Sequence, residues 1–438
     1  MIAVFIIFVS FFVYLIFSNE DIIKMMNNQV LDFIKINWKN TIVKDNKGLP
    51  YPYNSPNTNM YSDFYYWDLY FINKGLLLSD MPEQAENNIK NMVYFVKTLG
   101  YVPNSNTEYL RNRTQPPVLT LCVWDLYQYK QDKNIISKYI DVLIKEHSFF
   151  QTRRMTNIGL NSYMCDDSTN TKEDIMNHYK HLSDRVYEHS DDPNIQYQIG
   201  RDIIAVAESG LDFNARFKTD TRLLAASEFA HLDLNCWLYI VEVRIGEMLN
   251  IIDRKNESLE FNSLANKRKE LINKYFFDKK QGMYVDYHLS DGKHSHIITA
   301  VSLYPYAMGI SKDKESALKV FNKLELECGV SAAEYRKEEK YYQWDYPVMW
   351  GETNFIAYLA LINVDATIEA NRVVNKYMST IEKQFFKTEL LWEKYDARDG
   401  SIMNVEYDAP SFMGWTAATY QIFVLEGKGI KSPFIKIG

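Results

Sequence analysis

The sequence lacks the short motifs that mark several large enzyme classes. It contains no G-x-x-x-x-G-K-[ST] phosphate loop and no G-x-G-x-x-G turn, so we do not expect it to use a nucleotide cofactor. It has no G-x-S-x-G elbow for a serine nucleophile, and its 8 histidines include no H-E-x-x-H pair for zinc. The sequence therefore predicts neither a cofactor nor a metal.

Cysteine, glycine and proline are also scarce. The chain has 438 residues with 17 glycines and 12 prolines, and no stretch rich in them reads as a linker. We therefore expect one large domain over residues 19–438 in place of the three or so that the length would suggest. The four cysteines are too widely spaced for a zinc site or a dense disulfide framework, although one or two bridges are compatible with an oxidising compartment. They are Cys122, Cys165, Cys236 and Cys328.

Positive charge is neither abundant nor clustered. The net charge is −7 and the basic residues are scattered, so no nucleic-acid partner is expected. We expect the histidines to be solvated surface residues. His178 and His181 would share a helix face, and His288, His294 and His296 would lie in an exposed loop.

One long hydrophobic run stands at the N-terminus. Within residues 1–18 the segment from Ile2 to Phe17 is apolar apart from Ser10, and the first charge is Glu20. Such a segment predicts either a secretory signal peptide or a short membrane anchor, and the sequence leaves these alternatives open.

Strand-like alternation is rare in the remainder of the chain. Residues 283–289 are the best case and predict a short hairpin arm, whereas 220–250 and 262–277 carry apolar residues at helical spacing. About a dozen helices recur without a fixed repeat period. Because the polar and aromatic motifs fall in loops far apart in sequence, an all-α toroid of paired helices, which collects loops on one face, fits better than a bundle.

Aromatic residues form 15% of the chain, and five clusters set polar or charged groups among them. The clusters are residues 61–77, 101–117, 208–217, 341–354 and 390–415. Glycosidic hydrolysis needs an acid for the leaving oxygen, a second carboxylate, polar groups for hydroxyls and rings for sugar faces. The clusters supply all four. Each acid also has a structural interpretation; Asp212, in ESGLDFNARF, could simply cap a helix.

The motifs resemble, in order, those of the trehalases of glycoside hydrolase family 37. The resemblance covers about residues 60–420 and includes YYWDLYF, RTQPP, ESGLDFNAR, QWDYP and EKYDA. It implies an (α/α)6 toroid and inverting hydrolysis of trehalose, a small disaccharide, without a metal. It also implies that Asp212 is the general acid and Glu393 the general base. The residues that it places in the sugar site are Tyr66, Trp67, Asp68, Asn104, Arg113, Gln115, Arg216, Trp344, Asp345 and Glu406 with Tyr407.

Three departures from the family pattern fall on the binding side of the site. Met60 stands where the family has an arginine, QWDYPVMWGE replaces the family's second signature, and the glycine-rich loop before Glu406 is reduced to RDGSIMNV. Trehalose is the favoured substrate. The alternatives are another small glucoside, such as glucosylglycerate, cleaved by a relative of family 63 α-glucosidases, and a sugar-binding toroid that has lost catalysis.

Overall fold

The protein is described by a computed structural model that covers residues 19–45, 47–337 and 341–430, with side chains from residue 28 onward. The predicted signal peptide or anchor, residues 1–18, lies outside the described residues. Within them, no helix combines the length and apolar character needed to cross a membrane.

Helices dominate the described chain. In order they are α1 (Asn19–Asn40), α2 (Asp68–Leu78), α3 (Pro82–Leu99), α4 (Leu119–Lys130), α5 (Lys133–Arg153), α6 (Lys172–Val186), α7 (Pro193–Glu208), α8 (Leu232–Ile251), α9 (Lys255–Tyr275), α10 (Tyr304–Ala307), α11 (Lys314–Leu324), α12 (Gly351–Asn363), α13 (Thr367–Thr388) and α14 (Gly414–Gly427).

Six of these helices form a closed inner ring. The order of packing is α2, α4, α8, α10, α12 and α14, and α14 then packs against α2. Helices α2, α12 and α14 are buried over nearly their whole length, as a helix with apolar residues on all sides must be. The outer helices α1, α3, α5, α9, α11 and α13 are amphipathic and cover the ring. The predicted (α/α)6 toroid is confirmed.

The ring closes between the first and last helices through close contacts. A Cβ at Gly75 of α2 would lie only 2.2 Å from the Trp38 ring, so only glycine lets α1 pack this tightly. The indole of Trp38 donates to Gln421 Oε1 of α14 at 3.1 Å. The amide of Gly414, the first residue of α14, donates to the Pro56 carbonyl at 2.8 Å.

Helices α6 and α7 form an additional hairpin. Thr171 begins α6 with a capping box, in which its side chain accepts from the Asp174 amide and the Asp174 carboxylate accepts in return. Pro193 begins α7 at the position where a missing N–H is harmless. The hairpin brings residues of α6 to the face of the ring where the site lies.

The strands are short and pair two by two, all antiparallel. The pairs are β1 (Ile42–Val43) with β2 (Tyr53–Asn54), β3 (Phe229–Ala230) with β6 (Tyr287–His288), β4 (Phe277–Asp278) with β5 (Met283–Tyr284), and β7 (Val348–Trp350) with β8 (Lys394–Asp396). The predicted arm at 283–289 therefore contains two strands, β5 and β6, which belong to different sheets.

The structure tests two predictions about side chains, the possible disulfide bridges and the surface position of His178. All four cysteines are free thiols, three of them buried, so neither of the disulfide bridges left open by the sequence forms. His178 was expected on the surface with His181. Only His181 is exposed; His178 is buried under the ring of Tyr109, with centroids 4.8 Å apart.

Candidate active site

A cavity of about 310 Å³ opens on the face of the toroid where the loops of the inner helices meet. It is lined by Asp68, Asp212 and Glu393, by Asn104, Arg113, Gln115, Arg185 and Gln343, and by a set of rings that includes Tyr61, Tyr65, Trp67, Tyr109, Trp344, Trp350, Tyr407 and Trp415. Its volume and its mixture of apolar walls with a few convergent polar groups are those of a small-molecule site.

Asp212 lies in the turn that follows α7. Gly210 adopts a positive φ of 75°, and a Cβ there would come within 2.6 Å of the Trp67 indole, so the turn packs directly on the cavity wall. No helix begins at Asp212, so its carboxylate is not a helix cap. The side chain lines the cavity, where about a third of its surface stays exposed, and Arg185 Nη2 lies 3.7 Å from its Oδ2.

The main chain of Asp212 is held by side chains from two distant segments. Its carbonyl accepts from Gln343 Nε2 at 2.5 Å and from Arg185 Nη2 at 3.3 Å. Burial raises the pKa of the carboxyl, while the positive charges of Arg185 and Arg113 oppose that rise. The result is a fixed acid with a raised pKa facing the cavity.

Glu393 directly precedes β8 and its carboxylate is nearly inaccessible, at 2% exposure. Oε1 accepts from the Tyr407 hydroxyl at 3.0 Å, and Lys394 Nζ lies 3.2 Å from Oε2. Burial raises the pKa of Glu393; Lys394 and the Tyr407 hydrogen bond lower it, and the charge of Asp212 raises it again. Oε2 is itself buried, and the Lys394 ammonium is the cation beside it.

Asp68 is the third carboxyl group of the cavity and stands at the first position of α2. Burial, together with the negative charges of Glu393 and Asp212, raises the pKa of Asp68 to about 8. The group is therefore largely protonated near neutral pH and can donate as well as accept hydrogen bonds.

Arg113 supplies a buried cation beside Asp212. Its Nη1 lies 2.9 Å from Asn112 Oδ1 and 3.3 Å from His178 Nε2. Because His178 Nδ1 faces the Asp174 carbonyl at 2.8 Å, Nδ1 carries the proton and Nε2 is the acceptor. Burial and the charge of Arg113 lower the pKa of His178 to about 4, so the imidazole is neutral and compatible with the guanidinium.

Four tryptophans from three distant segments of the chain form one aromatic wall. Trp344 stacks on Trp350 with centroids 4.0 Å apart and planes within 6°. Trp67 lies 5.9 Å from both Trp344 and Trp415. Flat rings of this kind match the apolar faces of a sugar.

Some residues that the sequence places in the sugar site lie behind the cavity. Tyr66 points into the core, where its hydroxyl donates to Glu146 Oε1 at 2.6 Å. Asp345 accepts from the Ala215 amide at 3.2 Å, just beyond the Asp212 turn. Both positions support the lining without facing the cavity.

Arg216 and Glu406 likewise do not line the main cavity. Arg216 is 1% exposed and pairs with Asp233 and Asp286 at 2.7 and 2.6 Å. Glu406 forms an ion pair with Arg185 and accepts a hydrogen bond from the main-chain N–H of Gln343 at 2.9 Å. By contrast, Trp67, Asp68, Asn104, Arg113, Gln115 and Trp344 all line it.

Met60 is outside the cavity lining and 48% exposed. Its loop is turned by Asn57, whose Oδ1 accepts from the amides of Asn59, Met60 and Tyr61 at 2.8 to 3.1 Å. The turn directs Tyr61 into the cavity, whereas Met60, at the position where the resemblance implies an arginine, lies outside the lining.

Sequence reasoning missed two cations of the site. Arg185 comes from α6, in a stretch without any of the quoted motifs, and no local signal marks it. Lys394 is part of EKYDA, but its role depends on Gln343, whose Oε1 lies 2.7 Å from Nζ.

Within the described residues no group of three or more metal-ligating side chains has suitable geometry.

Comparison with known proteins identifies the family. The sequence profile of the trehalase family matches residues 21–426. The periplasmic trehalase of Citrobacter koseri is 27% identical over an alignment of 391 residues that covers 84% of this chain and 67% of that protein. The periplasmic trehalase of Escherichia coli is 26% identical with the same coverage. The chain thus spans about two thirds of the length of these relatives.

Two solved structures share the fold. The neutral trehalase of Saccharomyces cerevisiae has a TM-score of 0.69 at 22% identity, covering 86% of this chain and 73% of that one. The family 63 mannosylglycerate hydrolase of Thermus thermophilus, in complex with glucose, has a TM-score of 0.64 at 14% identity, covering 91% and 99%. The structural match supports the toroid, the family profile spans most of the sequence, and the chain therefore belongs to the trehalase family of glycoside hydrolases.

Proposed function

We propose that the protein hydrolyses α,α-trehalose to two glucose molecules with inversion, using Asp212 as general acid and Glu393 as general base. The observation that carries the proposal is the pair of carboxyl groups with raised pKa that line one aromatic cavity. Membership of the trehalase family supplies the substrate class.

Asp212 is suited to protonate the oxygen that bridges the two sugars. Its raised pKa keeps the proton on the carboxyl at a pH where an ordinary aspartate would have lost it. Once the proton has moved to the leaving group, the new carboxylate gains the attraction of Arg185, 3.7 Å away. The cation therefore favours the transfer, while burial holds the acid ready for it.

Glu393 is suited to activate a water on the opposite face of the sugar. Lys394 and Tyr407 favour its ionised form, and Oε2 has a lone pair to accept a proton from water. An inverting pair needs room for that water, so we expect about 6.5–9.5 Å between the two carboxyl groups when substrate is bound.

Sugar recognition is assigned to the groups that line the cavity. The rings of Trp67, Trp344 and Trp415 would contact the pyranose faces, and Asp68 with Arg113 would bind hydroxyls. The residues behind the lining, Tyr66, Arg216 and Asp345, would hold it in place, and Glu406 would act through Arg185.

A second candidate is hydrolysis of another small α-glucoside, such as glucosylglycerate. It is favoured by Met60, an uncharged residue at the sequence position where the family pattern has an arginine, and by the fold shared with the family 63 hydrolase.

Incubation of the purified chain with trehalose and a panel of small glucosides, with a glucose assay, tests both candidates. Glucose from trehalose supports the first, and release from another glucoside alone supports the second. Trehalose binding without turnover of any panel member would show a sugar-binding protein that has lost catalysis. NMR of the first-formed anomer tests inversion, and net retention would contradict the acid and base assignment.

We further propose that the chain is exported. Two of its relatives are periplasmic trehalases, and residues 1–18 have the composition of a secretory signal or an anchor. Cell fractionation with N-terminal sequencing would separate cleavage from membrane attachment, and a wholly cytosolic chain with residues 1–18 intact would contradict export.

A further inference from the structure

Lys394 occupies an unusual position for a lysine. Its side chain is fully buried, with the ammonium group 3.2 Å from Glu393 Oε2 and 2.7 Å from Gln343 Oε1. The ammonium also lies 3.5 Å from the centroid of the Tyr407 ring and 5.2 Å from that of Trp350. Because a buried charge is costly unless it is paired, this position favours a negative charge on Glu393.

Gln343 connects this lysine to the other carboxylate. Its Oε1 accepts from Lys394 and its Nε2 donates to the Asp212 carbonyl at 2.5 Å. A single amide side chain therefore links the residue beside the base to the main chain that carries the acid. The two carboxyl groups, 181 positions apart in the sequence, are positioned through one continuous chain of polar contacts.

The charges around Glu393 show why a cation is needed there. Lys394 and Tyr407 lower the pKa of Glu393, and the charge of Asp212 raises it. Asp68 faces the same space, and its own pKa is raised by Glu393. Without Lys394, three carboxyl groups would share the cavity with no cation in contact with Glu393.

The remaining charged and titratable groups act at longer range. Burial lowers the pKa of Lys394, the negative charges of Glu393 and Glu406 oppose that change, and Arg185, from α6, lowers the pKa further. Arg185 itself forms an ion pair with Glu406. Tyr61 forms a hydrogen bond with Tyr407. Burial and the negative charge of Glu393 raise the pKa of Tyr61, so the Tyr61 hydroxyl stays neutral. None of these groups supplies a positive charge beside Glu393 in place of Lys394.

We propose that Lys394 is a positioning residue that holds Glu393 in its ionised form and, through Gln343, fixes the Asp212 main chain relative to it. The inference rests on the proposed function, in which Glu393 is the base. Lys394 itself has no role in proton transfer. Its effect is on which protonation state of Glu393 is populated at a given pH.

The test is the pH dependence of kcat/KM for the Lys394→Met variant, measured on the glucoside that the wild type cleaves. Loss of an adjacent opposite charge raises a carboxyl pKa by about 1–3 units, so the acidic limb of the profile moves to higher pH by that amount. Methionine fills the buried space without a charge. Gln343→Glu gives a second route, since the new carboxylate competes for Lys394 and moves the same limb in the same direction.

The matched control is Lys376→Met. Lys376 is a partly buried lysine that pairs with Glu325 at 2.9 Å, away from the cavity, and its removal should leave the profile unchanged. If both Lys394→Met and Gln343→Glu keep the wild-type acidic limb while Glu393→Gln is inactive, the inference is overturned and the proposed function stands. If Glu393→Gln keeps near-normal turnover, the proposed base assignment itself is overturned.

Discussion

Replacing Arg216 with methionine distinguishes a role of this residue in stability from a role in sugar binding. Methionine replaces the aliphatic stem of arginine with an uncharged chain that is shorter by the guanidinium end. In the wild type, Arg216 Nε donates to Asp286 Oδ2 at 2.8 Å, and Nη2 contacts Asp286 Oδ1 at 2.6 Å and Asp233 Oδ1 at 2.7 Å. The two carboxylate side chains are only 5% and 2% exposed, so the variant would leave both buried without their cation.

The size of the effect follows from that burial. Removing one partner of a buried ion pair costs about 3–5 kcal/mol. For 438 residues, an unfolding entropy of about 2.1 cal/mol/K per residue gives about 0.9 kcal/mol per kelvin. The expected decrease in Tm is therefore about 3–5 °C in differential scanning calorimetry.

The control is Arg372→Met. Arg372 pairs with Glu325 at 2.6 Å, but its side chain is 40% exposed, so its loss should cost less than about 1 kcal/mol. An Arg216→Met variant with wild-type Tm and a strongly raised KM would refute the reasoning, because it would show that Arg216 contributes to sugar binding and little to stability.

Two other variants test further features. Asp212→Asn should lower kcat by about 10²–10⁴-fold with an unchanged circular dichroism spectrum, because an amide cannot deliver the proton; near-normal turnover would rule Asp212 out as the acid. Burial raises the pKa of Glu146 from its usual 4.5 to about 7, so the folded state binds an extra proton. The associated stability is fully present below pH 4.5 and is lost as the pH rises through 7, by about 3 kcal/mol in total. Glu146→Gln should flatten this dependence in urea unfolding measured from pH 4.5 to 8, and an unchanged slope would contradict a protonated Glu146.

The toroid was predictable because its evidence is distributed along the chain. Helical spacing recurs throughout, and the polar motifs fall in the loops that a closed ring must gather on one face. The inner helices α2, α12 and α14 are apolar on all sides, which is visible in the sequence as well. Local periodicity and motif order were therefore sufficient for the architecture.

The site was predictable only in part, because side-chain direction depends on distant partners. Arg216 is four residues from Asp212, yet Asp233 and Asp286 draw it away from the cavity. Arg185 reaches the cavity only because the α6–α7 hairpin folds over that face. Neither the partners nor the hairpin's position is encoded within a few residues of these arginines.

Closure of the ring has a consequence for the order of folding. Trp67 and Asp68 belong to the first inner helix region, Asp212 to the middle of the chain, and Glu393 comes shortly before α14. The contact between Trp38 and Gln421 joins residues 383 positions apart. Contacts of such separation slow folding, since closing a longer loop costs more chain entropy before the contact can stabilise the fold. During synthesis the turn at Asp212 would therefore wait for Gln343, which holds its main chain, and the cavity would be complete only after Glu393 and α14 had joined it.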